Sequence, residues 1–478
     1  MKMFFTFMKL PFLIFLCFPS IVFSTDFASL IHKQGLSSVC SGERGAINWS
    51  DGRWVVNSFE SKHTNVLKLQ DMLDVGKSAD EIVMAMRGAG PNSLIVGVPD
   101  LRLDLKGKPI ILANSSSIDG RGLTLYSTLK IHSFIKNHSV SHSHEVKGLV
   151  IQANGQETYA SISFKNVDGL LISGNTISGN TNSAIVVASS VGYSSRNIFI
   201  GENTVHSPSD TVGHVIMVKS TTTGKLINCV AVFANYVLGT FPENRTLGDY
   251  TPENSYTADQ IVLHGVDGFL VNGNYSGWSG SAGYTVSRLS SNGVIYDNIA
   301  EHCYEPGFNI GAGFEGLTVR LEKNVRVGDV LTNGKALLRV QSVRKKAQPR
   351  TFELRGQVQK NVFRPNDNVF FYGEPDQILG TVLASSPSAE NIILAKNDAT
   401  DTAIQRRKLK VLAAYNVIRS KDIFLVQNRF SNPDDVGRAN RFASFSVSNG
   451  YVSADSIEEY GRANIQVAGP ESGIIIVK

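Results

Sequence analysis

Six polar side chains between residues 214 and 305 have the types and spacing to act on an acidic sugar: His214, Lys219, Asp259, His264, Arg288 and Glu305. Each lies in or beside a short apolar segment. These segments are HVIMVKS (214–220), QIVLHG (260–265), GYTVSR (283–288) and GFNIGAG (307–313), with SAIVVAS (183–189) before them. Stacked as one sheet, they would line a groove with outward residues about 5 Å apart from strand to strand. β-Elimination on a uronate polymer needs a base for the proton beside the carboxylate and a cation for the enolate-like charge that follows. His264 suits the base, and Arg288 or Lys219 the cation, with Tyr284 and His214 flanking as substrate contacts. Glycoside hydrolysis needs two carboxylates across the bond. Asp259 and Glu305 are the obvious pair, two strands or about 10 Å apart, at the wide limit of an inverting geometry. Plainer uses exist for the same residues. His264 could be a rim residue, Arg288 could pair with Asp259 or Glu305 in a stabilising ladder, and Tyr284 could pack.

The positioning elements are written as a repeat. From Asp259 to Gly313 each unit has a short apolar strand, a small turn, a second strand and an Asn at a bend. Gly283 recurs as Gly307 and Asn274 as Asn298, both 24 residues on. Asn-containing bends follow in order at 175, 203, 235, 274, 298, 324 and 428. A period in the twenties with Asn and Gly corners predicts an all-β chain built as a parallel β-helix. Gly takes positive-φ corners, and Asn tolerates left-handed backbone and can bond to its copies above and below. A sandwich would need hairpin turns that these connections lack.

At SSSIDGRGLTLYS (115–127) the chain resembles the pectate-lyase-like superfamily of right-handed parallel β-helix proteins, whose early rungs commonly read TIDGRG. The resemblance continues through HEVKGLVIQAN (144–154) and NVDGLLISGNTISGN (166–180) and covers about half the chain. It implies the right-handed fold. It does not carry over a catalytic set: LLISGN (170–175) and AIVVASS (184–190) stand where pectate lyases of this class carry a W-I-D-H element and calcium-binding aspartates. The N-T-D, D-D and G-H-G motifs of polygalacturonases are absent too. No cofactor is expected, and calcium would lack its usual ligands.

Outside the repeat, residues 1–24 read as a secretory signal peptide: Lys2 and Lys9, an apolar run, then small residues near Ser24. This implies export to a periplasmic or extracellular space, with no span in the mature chain. Residues 25–92 form an N-terminal cap region. Apolar spacing over 64–87 predicts helix, with Ser78 and Glu81 as a capping box, placed to plug the open end of the solenoid. Rungs are expected over 93–324 and again over 414–478, the latter ending in a C-terminal cap. Longer alternating strands over 325–413, NIILAK among them, predict an inserted small antiparallel β-domain. Cys229 and Cys303 are expected as buried apolar fillers, without a disulfide framework or a thiolate metal site.

The formal net charge is +5, from 46 basic and 41 acidic residues. Residues 326–413 hold 15 basic and 8 acidic residues, a net of +7. Much of it sits in VRKKAQPR (343–350) and in QRRKLK (405–410), where Arg406, Arg407 and Lys408 are candidate anion contacts. Aromatics are too few there to favour nucleic acid. Two functions follow: a lyase or epimerase on an acidic polysaccharide, or a non-catalytic glycan-binding surface protein that uses the basic insert. A long polar segment, 239–257, interrupts the rungs as a candidate binding loop. NHSVSHSHE (137–145), with His138, His142, His144 and Glu145, reads as a solvated loop rather than a metal site.

Overall fold

The computed structural model describes residues 25–477 apart from 41–44, 59–60, 138–139, 207–212, 222–224, 240–258, 304, 312–313, 361, 401–412, 432–440, 447, 454–463 and 469–471. The expected signal peptide, most of the polar loop at 239–257, His138, Arg406, Arg407 and Lys408 therefore lie outside the described residues.

Three parallel sheets of 13, 10 and 11 strands wrap one apolar core, making a right-handed parallel β-helix. One rung shows the plan. Strand Val266–Asn272 belongs to the 13-stranded sheet, Tyr275–Gly277 to the 10-stranded sheet and Tyr284–Ser287 to the 11-stranded sheet. Alternation sends Phe269 and Val271 into the core, where both are essentially inaccessible.

The corner between the first two sheets is held by a buried asparagine column. Each Asn Nδ2 donates to the Oδ1 of the next, at 2.9 Å, through Asn175, Asn203, Asn235, Asn274, Asn298, Asn397 and Asn428. The sixth member is Asn397, not the expected Asn324. Spacing alone pointed to 324, but the chain has left the helix by then.

Its departure makes the insert. Strands Phe314–Leu321, Thr351–Gln359, Leu337–Lys345, Val330–Thr332, Asn368–Phe371 and Gly380–Ser386 close into a six-stranded barrel around Leu317, Leu338 and Leu354. The barrel thus begins before residue 325. NIILAK belongs instead to strand Ala389–Ala395, which pairs in parallel with Ser290–Tyr296. Its apolar run looks like a barrel strand because both faces are covered. The barrel replaces a single corner of the solenoid, leaving after Phe308–Ile310 and returning at Ala389. A buried ion pair, Arg419 to Glu315 at 2.7 Å, ties its first strand to the helix.

The N-terminal region splits in two. Helix Ala79–Gly88 carries the expected capping box and buries Ile82, Val83 and Met86 against the first rungs. The stretch before it is not all helix. Asn65–Lys68 is a strand paired in parallel with Ser93–Val96, so rungs begin earlier than residue 93, and a short helix, Leu69–Asp74, intervenes. Ahead of these, helix Thr25–Lys33 and a three-stranded antiparallel sheet lie on the outer face of the 13-stranded sheet, with Phe27, Ile31 and Trp54 against Phe199, Leu270 and Tyr296. A Cys40–Cys229 disulfide fastens that layer across 189 residues. Cys229 is therefore no mere filler. It occupies a left-handed kink (φ 58°) on the sheet's outer face, a placement invisible to residue spacing. Cys303 is buried and free.

Candidate functional site

The 11-stranded sheet contains the five expected segments in the expected order: Ile185–Ser189, Ile216–Ser220, Ile261–His264, Tyr284–Ser287 and Phe308–Ile310. Register places Lys219 beside His264, and His264 beside Ser287. Outward Val186, Met217 and Val262 form, with Ala160, a small buried apolar floor on this face. The polar candidates stand around it.

The His264 ring lies 5.9 Å from that of His214, edge to face. His214 Nδ1 is 3.7 Å from Asp259 Oδ2, too far for a hydrogen bond, and is buried without a hydrogen-bond partner. Lys219 donates to the Tyr159 hydroxyl at 3.4 Å, and the Tyr159 ring stacks on His132 at 5.0 Å. Arg288 takes the corner just past its strand, in left-handed backbone (φ 61°), where Gly265 sits one rung earlier (φ 66°). A non-glycine residue is disfavoured there, and the guanidinium is near enough to disfavour protonation of both His214 and His264.

The electrostatics of the group follow from this packing. His264 is 6% exposed, and its pKa falls well below the usual value through burial first, then through Arg288, His214 and Lys219. His214 is also lowered, mainly by burial, with Asp259 opposing and Arg288 and Lys219 adding to the fall. Burial lowers the Arg288 pKa as well. Asp259 faces His214, and burial rather than a carboxylate sets the direction of the Arg288 shift, so the expected ladder of Arg288 with Asp259 is not seen among the described residues. The result is a neutral imidazole among cations, with Asp259 as the near carboxylate.

Asp259 and Glu305 both reach one turn. Asp259 Oδ1 accepts from the Ala282 amide at 3.1 Å, and Glu305 Oε2 accepts from the Ser281 hydroxyl at 3.0 Å. Their side chains converge on the rung between them.

Tyr284 does not belong to the site. It is 1% exposed, its hydroxyl donates to the Asn274 and Ile299 carbonyls, and its ring stacks on Phe308, which stacks on Tyr415. Alternation points it inward, and the apparent surface tyrosine is a core residue. Tyr159 and His132 escaped the sequence reading, because neither lies in the five segments that marked the sheet.

The histidine-rich stretch 137–145 is also not a solvated loop throughout. Ser141–Lys147 is a strand, His144 is buried with Nδ1 bonded to the Ser116 carbonyl at 2.8 Å, and Glu145 accepts from the Ser61 amide. Two cavities lie away from the His264 group. One of about 500 Å³ is lined by His142, Asp168, Tyr193, Arg196, Lys225 and Asn228. Another, of about 170 Å³, lies beside Glu315 and Arg419 at the foot of the barrel. Among the described residues, no group of three or more His, Cys, Asp or Glu could hold a metal ion. No helix among them is long and apolar enough to cross a membrane.

No family model matches the chain, and no curated protein matches it. Among solved structures it is similar to the DFA-IIIase of Arthrobacter chlorophenolicus A6 without its lid, at 10% identity over 86% of this chain and 92% of that one, TM-score 0.43. It is also similar to the A-module of the Azotobacter vinelandii mannuronan C-5 epimerase AlgE6, at 10% identity over 86% and 99% of the two chains, TM-score 0.39. A third is the Yersinia enterocolitica family 28 exopolygalacturonase, at 8% identity over 86% and 83%, TM-score 0.33. These are likenesses of fold and do not bear on what this chain acts on.

Proposed function

We propose that this protein is an exported carbohydrate-active enzyme that removes the C5 proton of a uronate in an acidic polysaccharide, as a lyase or an epimerase. One observation carries the reading: a buried imidazole, His264, stands in register beside Lys219, and burial with the nearby Arg288 lowers its pKa. A uronate brings the missing anion. Its carboxylate docks between Arg288 and Lys219, offsets the charges that depress His264, and so raises the imidazole's proton affinity as the substrate arrives. His264 then takes the C5 proton, and the two cations stabilise the enolate-like charge on the carboxylate. In elimination the C5–H electron pair becomes the C4–C5 double bond and the C4–O4 bond breaks. The leaving oxygen takes a proton from the Tyr159 hydroxyl, which already meets Lys219. In epimerisation C5 is reprotonated from the other face and no bond to O4 breaks.

Hydrolysis by Asp259 and Glu305 is less well supported, because both carboxylates are engaged by Ser281 and Ala282. Export fits the disulfide, which persists in oxidising compartments.

The alternative, a binding protein that uses the basic insert, is weakened by the barrel's geometry. Phe314, at the foot, pairs with Gln357, whereas Arg320 pairs with Thr351, so the 345–351 hairpin is at the far end. There Lys346 pairs with Glu353, and Arg350 with Glu322. Incubation with polygalacturonate, alginate and glycosaminoglycans, with and without calcium, separates the readings. Ultraviolet absorbance from a new double bond identifies a lyase, and a changed C5 configuration without chain cleavage an epimerase. Retention on these polymers with neither change supports the binding protein.

A further inference from the structure

The 10-stranded sheet carries aromatic side chains on its outer face, away from the core. Tyr236 and Tyr275 occupy the same register position on neighbouring rungs, directly after Asn235 and Asn274 of the buried column. Their rings stack at 4.8 Å and 12°. Tyr236 is 42% exposed, and the next residue in that column, Ile299, is 44% exposed. His206 adds an edge-on ring at 6.4 Å from Tyr236. At the sheet's margin Trp278 lies over His302 at 4.2 Å. Glu301 accepts the Tyr275 hydroxyl at 2.6 Å, fixing that ring.

We propose that this strip is a second carbohydrate-binding site, a platform for pyranose rings of the same polysaccharide. Exposed aromatic rings fixed on a rigid sheet offer flat apolar faces to the C–H face of a sugar. The two steps from Tyr236 through Tyr275 to Ile299 span about 10 Å at the strand spacing, room for about two sugar units, with His206, opposite Leu238, to one side on the preceding rung. The platform is continuous with the candidate site. Trp278 is three residues from Ser281, or within about 10 Å of chain, and Ser281 binds Glu305 while Ala282 binds Asp259. The two faces divide recognition. The strip holds rings and lacks Lys or Arg among these residues, whereas the groove beyond the corner holds the carboxylate.

The inference rests on the carbohydrate reading above, but its test does not require turnover. Affinity electrophoresis in gels containing polygalacturonate, alginate or hyaluronan is run with wild type, Tyr236→Ala, Trp278→Ala and Arg288→Ala. Retardation by one polymer that weakens about tenfold in the two aromatic variants, with unchanged unfolding midpoints, supports the platform. Tyr236→Phe should bind as wild type, because the ring face rather than the hydroxyl makes the contact. If the aromatic variants bind as wild type does, or if no polymer retards the wild type, the platform is overturned. Arg288→Ala reports on the groove separately, so weakening there alone preserves the function reading and rejects the strip.

Discussion

The Asn298 side-chain amide donates to Asn397 Oδ1 at 2.9 Å across 99 residues of chain, and the backbone amide of Asn298 reaches the same oxygen at 3.1 Å. The barrel is therefore spliced into a solenoid whose internal ladder continues as though it were not there. Both amides are buried, and Asn397→Ala leaves the backbone amide of Asn298 without a partner, whereas its side-chain amide keeps the Val271 and Tyr296 carbonyls. An unsatisfied buried polar group costs about 1–3 kcal/mol, and urea denaturation should show a loss within that range. Asn324→Ala, outside the column, should change stability by less than about 0.5 kcal/mol.

The repeat made the fold legible because a β-helix buries a strand face on every rung, and that shows as apolar alternation with Asn corners. The five segments of the 11-stranded sheet, and so the meeting of His214, Lys219, His264 and Arg288, could be read directly. What escaped depends on contacts far apart in sequence. Asn397 follows an insert of unknown length, Cys229 finds its partner 189 residues away, and Tyr284 obeys the same alternation as its neighbours but happens to carry a hydroxyl.

The disulfide should hold the N-terminal layer to the 13-stranded sheet. A cross-link closing a long loop contributes about 2–5 kcal/mol. Cys40→Ser with Cys229→Ser should lower the denaturation midpoint by a corresponding amount, and limited proteolysis should then release the segment before residue 60 first. Unchanged proteolysis would mean that the packing of Phe27, Ile31 and Trp54 suffices.

Arg419 and Glu315 form the buried pair at the foot of the barrel. Removing one partner of a buried ion pair costs about 3–5 kcal/mol. Glu315→Gln should loosen the barrel more than the paired change Glu315→Leu with Arg419→Met. Hydrogen exchange in Leu317–Leu321 would report the difference.

Buried His144 supplies a pH dependence of stability. Burial lowers its pKa to about 4, against about 6.5 in the unfolded chain. Between these values the unfolded chain binds more protons, so stability falls as pH drops from about 6.5 towards 4 and levels off below. The full window amounts to about 3 kcal/mol. His144→Gln, which keeps a donor for the Ser116 carbonyl, should make the profile between pH 7 and 4.5 shallower, with buried His264 and His214 supplying the remaining slope.

The central claim is that His264 removes the C5 proton of a uronate. The direct test is exchange of that proton for deuterium in heavy water, followed by NMR on each uronate polymer with wild type, His264→Gln and Arg288→Ala. The account predicts deuterium at C5, with or without chain cleavage, on one polymer. Exchange should fall by at least about a hundredfold in His264→Gln while retention on that polymer persists, and Arg288→Ala should lose exchange and weaken retention. Full exchange by His264→Gln, or no exchange by wild type on any uronate, would contradict it.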